Sequence, residues 1–318
     1  VIADNCTDKT PEIATQHGVS CWERHDLQQP GKGFALAWAF AQLHDTRHDA
    51  FFILDADCGI QSDSLRVLDA FLQSGGRVMQ ANHRVVNLDA SPISYAATVG
   101  RHVEYELFFA PKSRFRLAVL LVGSGMLLHR SILQECPWSS HSLTEDTEYT
   151  IQLAQLSEPV HFAANAWLLT RAAETLEQLQ IQRSRWAHGN MALGRSEAFR
   201  LIGGGLRRQN LLLADLGVTL LLLSRPLVLA HLAATLAAGV LLAVLAPGPR
   251  SWALLTASVC VMIAHGLYLA IGILSLGLTP ARALLLVRTP AVVLRLAAIS
   301  FRALLTSRPG SWNRTPRG

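Results

Sequence analysis

Residues 227–246 form an apolar run of twenty positions without a charged side chain. At a rise of 1.5 Å per residue, a helix of this length spans about 30 Å, which is the thickness of the hydrocarbon core of a bilayer. Residues 252–276 form a second run of the same kind. A chain with two such runs places part of its mass in lipid, so we expect two transmembrane helices.

The composition agrees with a chain that is divided between water and lipid. Hydrophobic residues make up 50% of the chain and charged residues 16%, which is little polar surface for a purely soluble protein. Charged and apolar residues are mixed up to about residue 205, whereas Leu, Ala and Val dominate from 211 to 306. We therefore predict a soluble domain over 1–205 and a membrane region over 206–318.

The net charge of +5 comes largely from arginines that flank the apolar runs. The connection 247–250 carries one positive charge, whereas the opposite flanks carry several. The positive-inside rule then predicts a multi-pass protein of the inner membrane with a cytoplasmic soluble domain. Because no stripe of interleaved basic and aromatic residues is present, we expect anionic lipid rather than nucleic acid as the partner of this charge.

The last apolar segment, 281–306, differs from the first two. Four arginines lie on or close to one helix face: Arg282, Arg288, Arg295 and Arg302. Four unpaired guanidinium groups are expensive inside a bilayer. We therefore predict an interfacial helix that lies on the inner leaflet.

The soluble half alternates short buried strands with helices. Predicted strands cover 1–3, 19–22, 51–54, 77–82 and 126–129, and predicted helices cover 10–17, 31–43, 62–72, 95–109, 145–156 and 176–191. Alternation of this kind predicts an α/β domain whose mostly parallel sheet is flanked by helices. Ligands bind beyond the carboxyl ends of such strands, where Asp4, Asp55 and Asp57 lie, so we expect one pocket to hold all three.

Two carboxylates follow the strand 51–54. In an extended segment residues i and i+2 point the same way, so Asp55 and Asp57 would face one site. Hard oxygen ligands suit Mg²⁺ or Mn²⁺, and either cation also binds a diphosphate. A solvated turn is the alternative interpretation. The five cysteines are scattered without a C-x-x-C pair, so we expect small buried side chains rather than a disulfide framework or a zinc site.

A second acidic pair, Glu145 and Asp146, follows Thr144 at the start of a predicted helix. Carboxylates in a first helical turn often cap the helix and compensate its dipole, which is one interpretation. The other is a general base that deprotonates an acceptor hydroxyl.

A third group lies on the helix 176–191. Gln182, Arg185 and Trp186 fall at i, i+3 and i+4 and therefore share one face. An arginine pairs with phosphate oxygens, a glutamine forms hydrogen bonds, and a tryptophan offers a flat surface for a sugar ring. An amphipathic surface helix is the alternative. Lys32, between two glycines at a helix start, would contact a phosphate or remain solvated.

The order of these motifs resembles glycosyltransferase family 2. The likeness is to its membrane branch of cellulose-, chitin-, hyaluronan- and poly-N-acetylglucosamine-synthase-like enzymes, and it covers about residues 1–200 strongly and the apolar helices loosely. The motifs that carry it are Asp4-Asn5-Cys6-Thr7-Asp8, Gly31-Lys32-Gly33, Asp55-Ala56-Asp57, Gly123-Ser124-Gly125, Thr144-Glu145-Asp146 and Gln182-Arg183-Ser184-Arg185-Trp186.

The resemblance implies a GT-A fold and an inverting hexosyltransferase that moves a sugar from a UDP-sugar to a growing polysaccharide or glycan. It implies that Asp146 is the catalytic base and that Glu145 and Trp186 lie at the acceptor. Asp57 would bind the Mg²⁺ or Mn²⁺ that bridges the diphosphate. The implied donor contacts are Asp4 to the uracil base, then Lys32, Asp55, Gln182 and Arg185.

Two other functions remain open at this point. One is a non-processive glycosyltransferase that adds a single sugar to a membrane lipid. The other is a non-catalytic membrane subunit or a transporter component. The chain also begins within a strand, and the family's first strand, its early Asn-Glu motif and any N-terminal membrane helix are missing, so the resemblance predicts an N-terminally truncated fragment.

Overall fold

Strands and helices alternate through the first half of the chain, as predicted. The structure is a computed structural model that describes residues 1–43 and 46–306, so the end of the predicted membrane region, 307–318, lies outside the described residues. The strands are β1 Ile2–Asp4, β2 Trp22–Arg24, β3 Ala50–Ile53, β4 Gly59–Ile60, β5 Val78–Val85, β6 Met126–His129 and β7 His161–Thr170. The helices of this half are α1 Thr10–Gln16, α2 Lys32–Leu43, α3 Ser64–Gln73, α4 Pro92–Glu104, α5 Ala110–Arg114, α6 Arg130–Glu135 and α7 Glu145–Gln155.

The second half is helical. Its helices are α8 Leu176–Arg207, α9 Leu211–Leu221, α10 Arg225–Leu245, α11 Pro249–Ser275 and α12 Pro280–Leu305. A π-helical turn, Tyr105–Phe109, joins α4 to α5. Helix α8 continues well beyond residue 191, where the sequence pattern predicted its end.

The strands form two sheets. β1 and β2 pair in parallel, and a five-stranded sheet has the order β3-β6-β5-β7-β4. The α/β class is confirmed, but the prediction of a mostly parallel sheet is wrong for the larger sheet. Three of its four pairings are antiparallel, because β6 runs between β3 and β5 in the opposite direction and β4 pairs against β7. β3, β5 and β7 still share one direction, so the ends of β3 and β5 lie at the same edge.

The larger hydrophobic core lies between this sheet and the helices that follow it. Tyr105 and Phe109 of the π-helical turn stack in this core with ring centroids 5.4 Å apart, and both are buried. Tyr149 of α7 is also fully buried. Each such side chain contributes roughly 1.5–3 kcal/mol by its burial. The π-helical turn therefore anchors the segment between β5 and β6 on the sheet.

Helix α9 belongs to this core. Leu213 is 3% exposed and Leu216 is 0% exposed, although an apolar run of this length is also typical of a helix in a membrane interface. α9 packs along α8 at two glycines, because Gly205 lies against Ala214 and Gly217 lies against Ala198. The core therefore continues past residue 205, the predicted end of the soluble domain.

Within the described residues, three helices are long and apolar enough to cross a membrane: α10, α11 and α12. The first two coincide with the predicted spans. The third coincides with the predicted interfacial helix, whose position on the membrane stays a prediction. Arg282 of α12 has a partner, because its guanidinium forms two bonds of 2.9 and 3.1 Å with Asp89.

The apolar helices also contact the sheet-containing part of the chain. His102 of α4 bonds Ser275 at the end of α11 at 2.9 Å. Ser224, before α10, donates to Ser300 of α12 at 2.8 Å. α12 packs on both α4 and α8. Helices α4 and α8 therefore connect the sheet to the apolar helices.

Substitution of two neighbouring glycines of α8, Gly204 and Gly205, tests the packing of α8 against α9. A Cβ at Gly205 would lie 2.8 Å from Ala214 Cα, whereas a Cβ at Gly204 would meet nothing within 4 Å. Because the α9 backbone cannot withdraw without losing core contacts, we expect Gly205→Ala to lower the free energy of unfolding by about 1–3 kcal/mol. Gly204→Ala should leave it unchanged or raise it by up to about 1 kcal/mol. Denaturation of both variants in detergent measures the difference, and equal effects would contradict the packing.

Candidate active site

Lys32 joins three distant segments of the chain. It begins α2, and its Nζ forms an ion pair with Asp55 and donates a hydrogen bond of 2.5 Å to the backbone oxygen of Gly123. Asp55 follows β3, and its own backbone N–H donates to Ser124 Oγ at 3.0 Å. The ammonium group therefore lies between the D-x-D segment and the turn before β6, two motifs that are far apart in the sequence.

The turn before β6 requires its glycines. Gly123 and Gly125 have φ angles of 82° and 73°, in the left-handed region that side chains with a Cβ rarely adopt. A Cβ at Gly125 would lie 3.0 Å from Ala81 Cβ, and one at Gly123 would lie 3.2 Å from Asp146 Oδ2. Asp146 is thus a direct neighbour of the turn that accepts the Lys32 hydrogen bond.

Two adjacent carboxyl groups face this ammonium. Burial and the charge of Asp146 raise the pKa of Glu145 well above its ordinary value, while the positive charges of Lys32 and Arg185 partly offset the effect. Burial also raises the pKa of Asp146, although its Oδ1 accepts a hydrogen bond of 2.7 Å from the backbone of Thr147. A carboxylate with a raised pKa is a better proton acceptor than an exposed one.

Helix α8 approaches these carboxyl groups at a glycine. A Cβ at Gly189 would lie 2.7 Å from Thr144 Cγ2, so only glycine allows this contact between α8 and the start of α7. One turn earlier on α8 lies Arg185, whose charge acts on Glu145. Of the predicted face of Gln182, Arg185 and Trp186, the structure therefore brings Arg185 near the acidic pair, and the roles of the other two there stay predictions. Gln182 and Trp186 are both partly buried on α8.

A group of possible metal ligands lies at the D-x-D segment. One ligand atom from each of Asp55, Asp57 and Cys58 lies within 4.8 Å of the others. Two carboxylates fit Mg²⁺ or Mn²⁺, so the donor set agrees with the predicted cation. Cys58 was expected to be a buried apolar residue, but it accepts a hydrogen bond from Ser124 Oγ at 3.4 Å. Burial raises the pKa of its thiol, which favours the protonated form over a ligating thiolate.

Asp4 forms its hydrogen bonds within the N-terminal segment 1–29. It ends β1, in the two-stranded sheet, and its Oδ1 accepts a hydrogen bond of 2.6 Å from the buried guanidinium of Arg24. Arg24 also donates to Asp26 and to the backbone oxygen of Gln29. In the part of the chain that the structure describes, the Asp4 carboxylate contacts Arg24 and Asn5 rather than Asp55, and a pocket shared with Asp55 stays a prediction.

Two polar residues of β5 that were not identified from the sequence form hydrogen bonds to the glycine turn 123–125. Gln80 is fully buried, donates to Ser124 O at 2.8 Å and accepts from the backbone of Val122 at 3.0 Å. His83 Nε2 lies 2.8 Å from Ser124 O. Polar residues inside a buried strand were the available signal, because such groups are placed where hydrogen bonds satisfy them.

His83 is neutral. Arg101 Nη1 lies 3.5 Å from His83 Nδ1, and because an arginine only donates, Nδ1 accepts and the hydrogen is on Nε2. Burial and the charge of Arg101 lower the pKa of His83 to about 3. The imidazole therefore donates to Ser124 O throughout the physiological pH range and acts as a fixed support of the turn.

The raised pKa of Glu145 predicts that the stability of the protein depends on pH. The folded-state pKa of Glu145 lies above its ordinary value of 4.5, so its contribution is complete below that value and is lost as the pH rises through the raised pKa. Without donor or cation, the Tm of wild type should fall relative to that of Glu145→Gln between about pH 5 and about pH 8, because buried histidines such as His83 contribute equally to both proteins. Scanning calorimetry measures both slopes. Glu12→Gln, an exposed change on α1, is the control, and equal slopes in wild type and Glu145→Gln would contradict the burial.

Comparison with known proteins gives a family for this geometry. The family model for glycosyltransferase like family 2 matches residues 1–189. A probable glycosyltransferase, YdaM of Bacillus subtilis, is 25% identical over 214 residues, which cover 60% of this chain and 47% of that protein. The beta-monoglucosyldiacylglycerol synthase of a Nostoc species is 27% identical over 199 residues, which cover 59% of this chain and 41% of that protein. The aligned part thus spans about half the length of these relatives or less.

Two further matches agree with these. The low-salt glycan biosynthesis hexosyltransferase Agl6 of Haloferax volcanii is 33% identical over 85 residues, which cover 27% of this chain and 19% of that protein. The structure of the mannosyltransferase PcManGT from Pyrobaculum calidifontis, in complex with GDP-Man and Mn²⁺, superimposes with a TM-score of 0.54 at 16% identity, over 95% of this chain and 77% of that one.

The structural match gives this chain a GT-A-like fold, followed by long apolar helices that can cross a membrane. The matched region 1–189 includes Lys32, the D-x-D segment, the glycine turn, the acidic pair and the start of α8. The chain belongs to glycosyltransferase-like family 2.

Proposed function

We propose that this protein is a membrane-bound, inverting glycosyltransferase that transfers a hexose from a UDP-sugar to an acceptor at the membrane surface. The observation that supports this most directly is the position of Lys32. Its ammonium bonds Asp55 of the cation-binding group and the backbone of Gly123, beside Asp146. Groups suited to a diphosphate and a group suited to accepting a proton therefore lie around one side chain.

In the proposed reaction, Asp146 accepts the proton of an acceptor hydroxyl. The hydroxyl oxygen bonds to the anomeric carbon of the donor from the side opposite the diphosphate, and the bond from that carbon to the diphosphate breaks. This single displacement inverts the configuration. The raised pKa of Asp146 suits it to the role of base.

The predicted donor contacts are Asp4, Lys32, Asp55, Gln182 and Arg185. Arg185 and Gln182 would hold the leaving diphosphate, because a guanidinium pairs with two phosphate oxygens at once. A cation at Asp57 would stabilise the negative charge that develops there. PcManGT was solved with a nucleotide sugar and Mn²⁺, which supports a donor and a cation of this kind.

Glu145 and Trp186 are the predicted acceptor residues. The sequence analysis placed a growing polysaccharide or glycan first and a membrane lipid second. One observation favours the lipid as a second candidate acceptor. Helix α4 packs on both α11 and α12, and its Arg101 contacts His83, which bonds the glycine turn of the candidate active site. The Nostoc relative is named for a diacylglycerol lipid, and Agl6 is named for glycan biosynthesis, so relatives with both kinds of name occur.

The arginine distribution supports the cytoplasmic face of the inner membrane as the place of catalysis. Arg207 and Arg208 precede α10 and Arg225 is its first residue, whereas the turn after α10 is followed by a single arginine, Arg250, in the first turn of α11. With the two predicted spans, the positive-inside rule favours a cytoplasmic position for the sheet-containing part.

We expect Asp146→Asn to lower kcat by about 10² to 10⁴-fold, because an amide cannot accept the acceptor's proton. Membranes that contain the whole protein are incubated with radiolabelled UDP-sugars, and the product is identified. The control is Asp69→Asn, an exposed carboxylate of α3 that bonds Gln73. UDP affinity, measured by calorimetry, should change little in both variants.

The product of this assay distinguishes the candidate acceptors, and the activity of the variants tests the assignment of the site. Polymer in the product supports the glycan acceptor, and a single glycolipid supports the lipid. Turnover that survives in Asp146→Asn, Asp57→Ala and Trp186→Ala would disprove the assignment of the site. Absence of transfer from every UDP-sugar would favour the non-catalytic membrane subunit.

A further inference from the structure

Arg183 lies within the Gln182–Trp186 segment but has no role in the proposed reaction. Its guanidinium lies over the Trp186 ring, 5.1 Å from the ring centroid. Its Nε is shielded from solvent and has no hydrogen-bond partner among the described residues. A buried donor without a partner costs about 1–3 kcal/mol, and more when the group is charged. The surroundings of Arg183 therefore provide a place for an acceptor of hydrogen bonds.

Two other arginines lie beside it. Arg225, the first residue of α10, donates to the backbone oxygen of Gly100 at 2.7 Å, next to Arg101 on α4. Arg101 itself bonds neutral groups, Thr170 Oγ1 at 2.9 Å and the His83 imidazole. Burial, helped by the charges of Arg101 and Arg225, lowers the pKa of Arg183 to about 10, which leaves its guanidinium charged at neutral pH.

The positive charge of this cluster exceeds its negative charge. Glu104 lies 3.4 Å from Arg225 and is the carboxylate that acts on Arg183. Glu106, on the following turn, is bonded to Asn82 at 2.7 Å. Three guanidinium groups against these two carboxylates leave a surplus of positive charge that an anion would neutralise. Phosphate suits it, because its oxygens accept from several guanidinium groups at once.

The cluster lies where the apolar helices begin. Arg225 opens α10 and lies over the Phe108 ring at 5.8 Å from the centroid. On α11, Tyr268 donates to the backbone oxygen of Val103, one residue before Glu104. An anion bound here would lie beside the first residue of α10, at the beginning of the apolar helices, which is a position that suits a phospholipid headgroup.

We propose that Arg101, Arg183 and Arg225 bind the phosphate of a lipid acceptor and so present its headgroup hydroxyl to Asp146. This inference rests on the proposed function, in its lipid form. The phosphate is bound and does not react. The hydroxyl oxygen bonds to the anomeric carbon, its proton goes to Asp146, and the nucleoside diphosphate leaves. Trp186, stacked on Arg183 and adjacent to Arg185 on α8, connects the phosphate site with the acidic pair.

Lipid binding without donor tests the inference independently of transfer. The whole protein in detergent is examined by native mass spectrometry with phosphatidylglycerol and with diacylglycerol of the same acyl chains. Both lipids carry a hydroxyl, but only the first carries a phosphate. Charge-assisted hydrogen bonds of this kind should give phosphatidylglycerol at least about tenfold tighter binding.

Variants locate the site. Arg183→Gln should weaken phosphatidylglycerol binding by about tenfold. The matched control is Arg200→Gln, an exposed position of the same helix that pairs with Glu197, and it should bind like wild type. Arg101→Gln, on α4, is a second variant in case Arg183→Gln does not fold. In a transfer assay the KM for phosphatidylglycerol should rise while the affinity for UDP stays the same.

Equal binding of the two lipids by wild type would overturn the inference, as would equal binding by Arg183→Gln and Arg200→Gln. Displacement of the lipid by sn-glycerol 3-phosphate at comparable concentration would assign the site to a soluble phosphate and would also overturn it. Failure of the proposed function has a different signature. In that case no UDP-sugar supports transfer, whereas the binding of phosphatidylglycerol and of diacylglycerol can still be compared.

Discussion

One ammonium group, Lys32 Nζ, holds the acidic residues of this protein in a common arrangement. Asp55 bonds it directly, and Glu145 and Asp146 lie close enough for its charge to lower their pKa values. Carboxylates gathered in a partly dehydrated cleft repel one another, and the repulsion raises their pKa values until one of them is neutral. The lysine opposes that tendency. Its position is fixed at the start of α2, because the neighbouring Gly33 packs against the backbone of Ser140 and leaves no room for a Cβ.

Helix α8 contacts both the acidic residues of the candidate active site and the apolar helices. Its 32 residues extend about 48 Å at 1.5 Å per residue. Near its first third, Gly189 packs on Thr144 at the acidic pair. On another face, His188 bonds Thr306 Oγ1 at 3.0 Å, just after α12. One continuous helix thus contacts the candidate active site and the last apolar segment through two adjacent residues, Gly189 and His188.

Local features of this fold could be predicted from the sequence, whereas long-range pairings could not. The strand 126–129 and the start of α7 at Glu145 were predicted correctly, since glycines precede the strand and acidic residues mark the first turn of the helix. The direction of β6 depends on which strands it pairs with, and residue spacing does not encode that choice. The burial of α9 was missed for a related reason: an apolar run shows that a helix avoids water, but not whether protein or lipid covers it. At the site, the family resemblance supplied residue roles, while Cys58, Gln80 and His83 became visible only through their contacts.

The segment from α4 to α5 connects the start of the apolar helices with the glycine turn of the candidate active site. On one side Arg101 contacts His83, whose imidazole bonds the backbone oxygen of Ser124. On the other side the carbonyl of Gly100 accepts from Arg225 at the start of α10. A π-helical turn follows, and such turns insert an extra residue that redirects side chains, often at functional sites. Here Tyr105 and Phe109 face the core, while the ring of Phe108 lies under Arg225. The contacts from Arg225 to Ser124 are partly buried hydrogen bonds of 2.7, 3.5 and 2.8 Å, and they connect the start of α10 with the turn that accepts the hydrogen bond of Lys32.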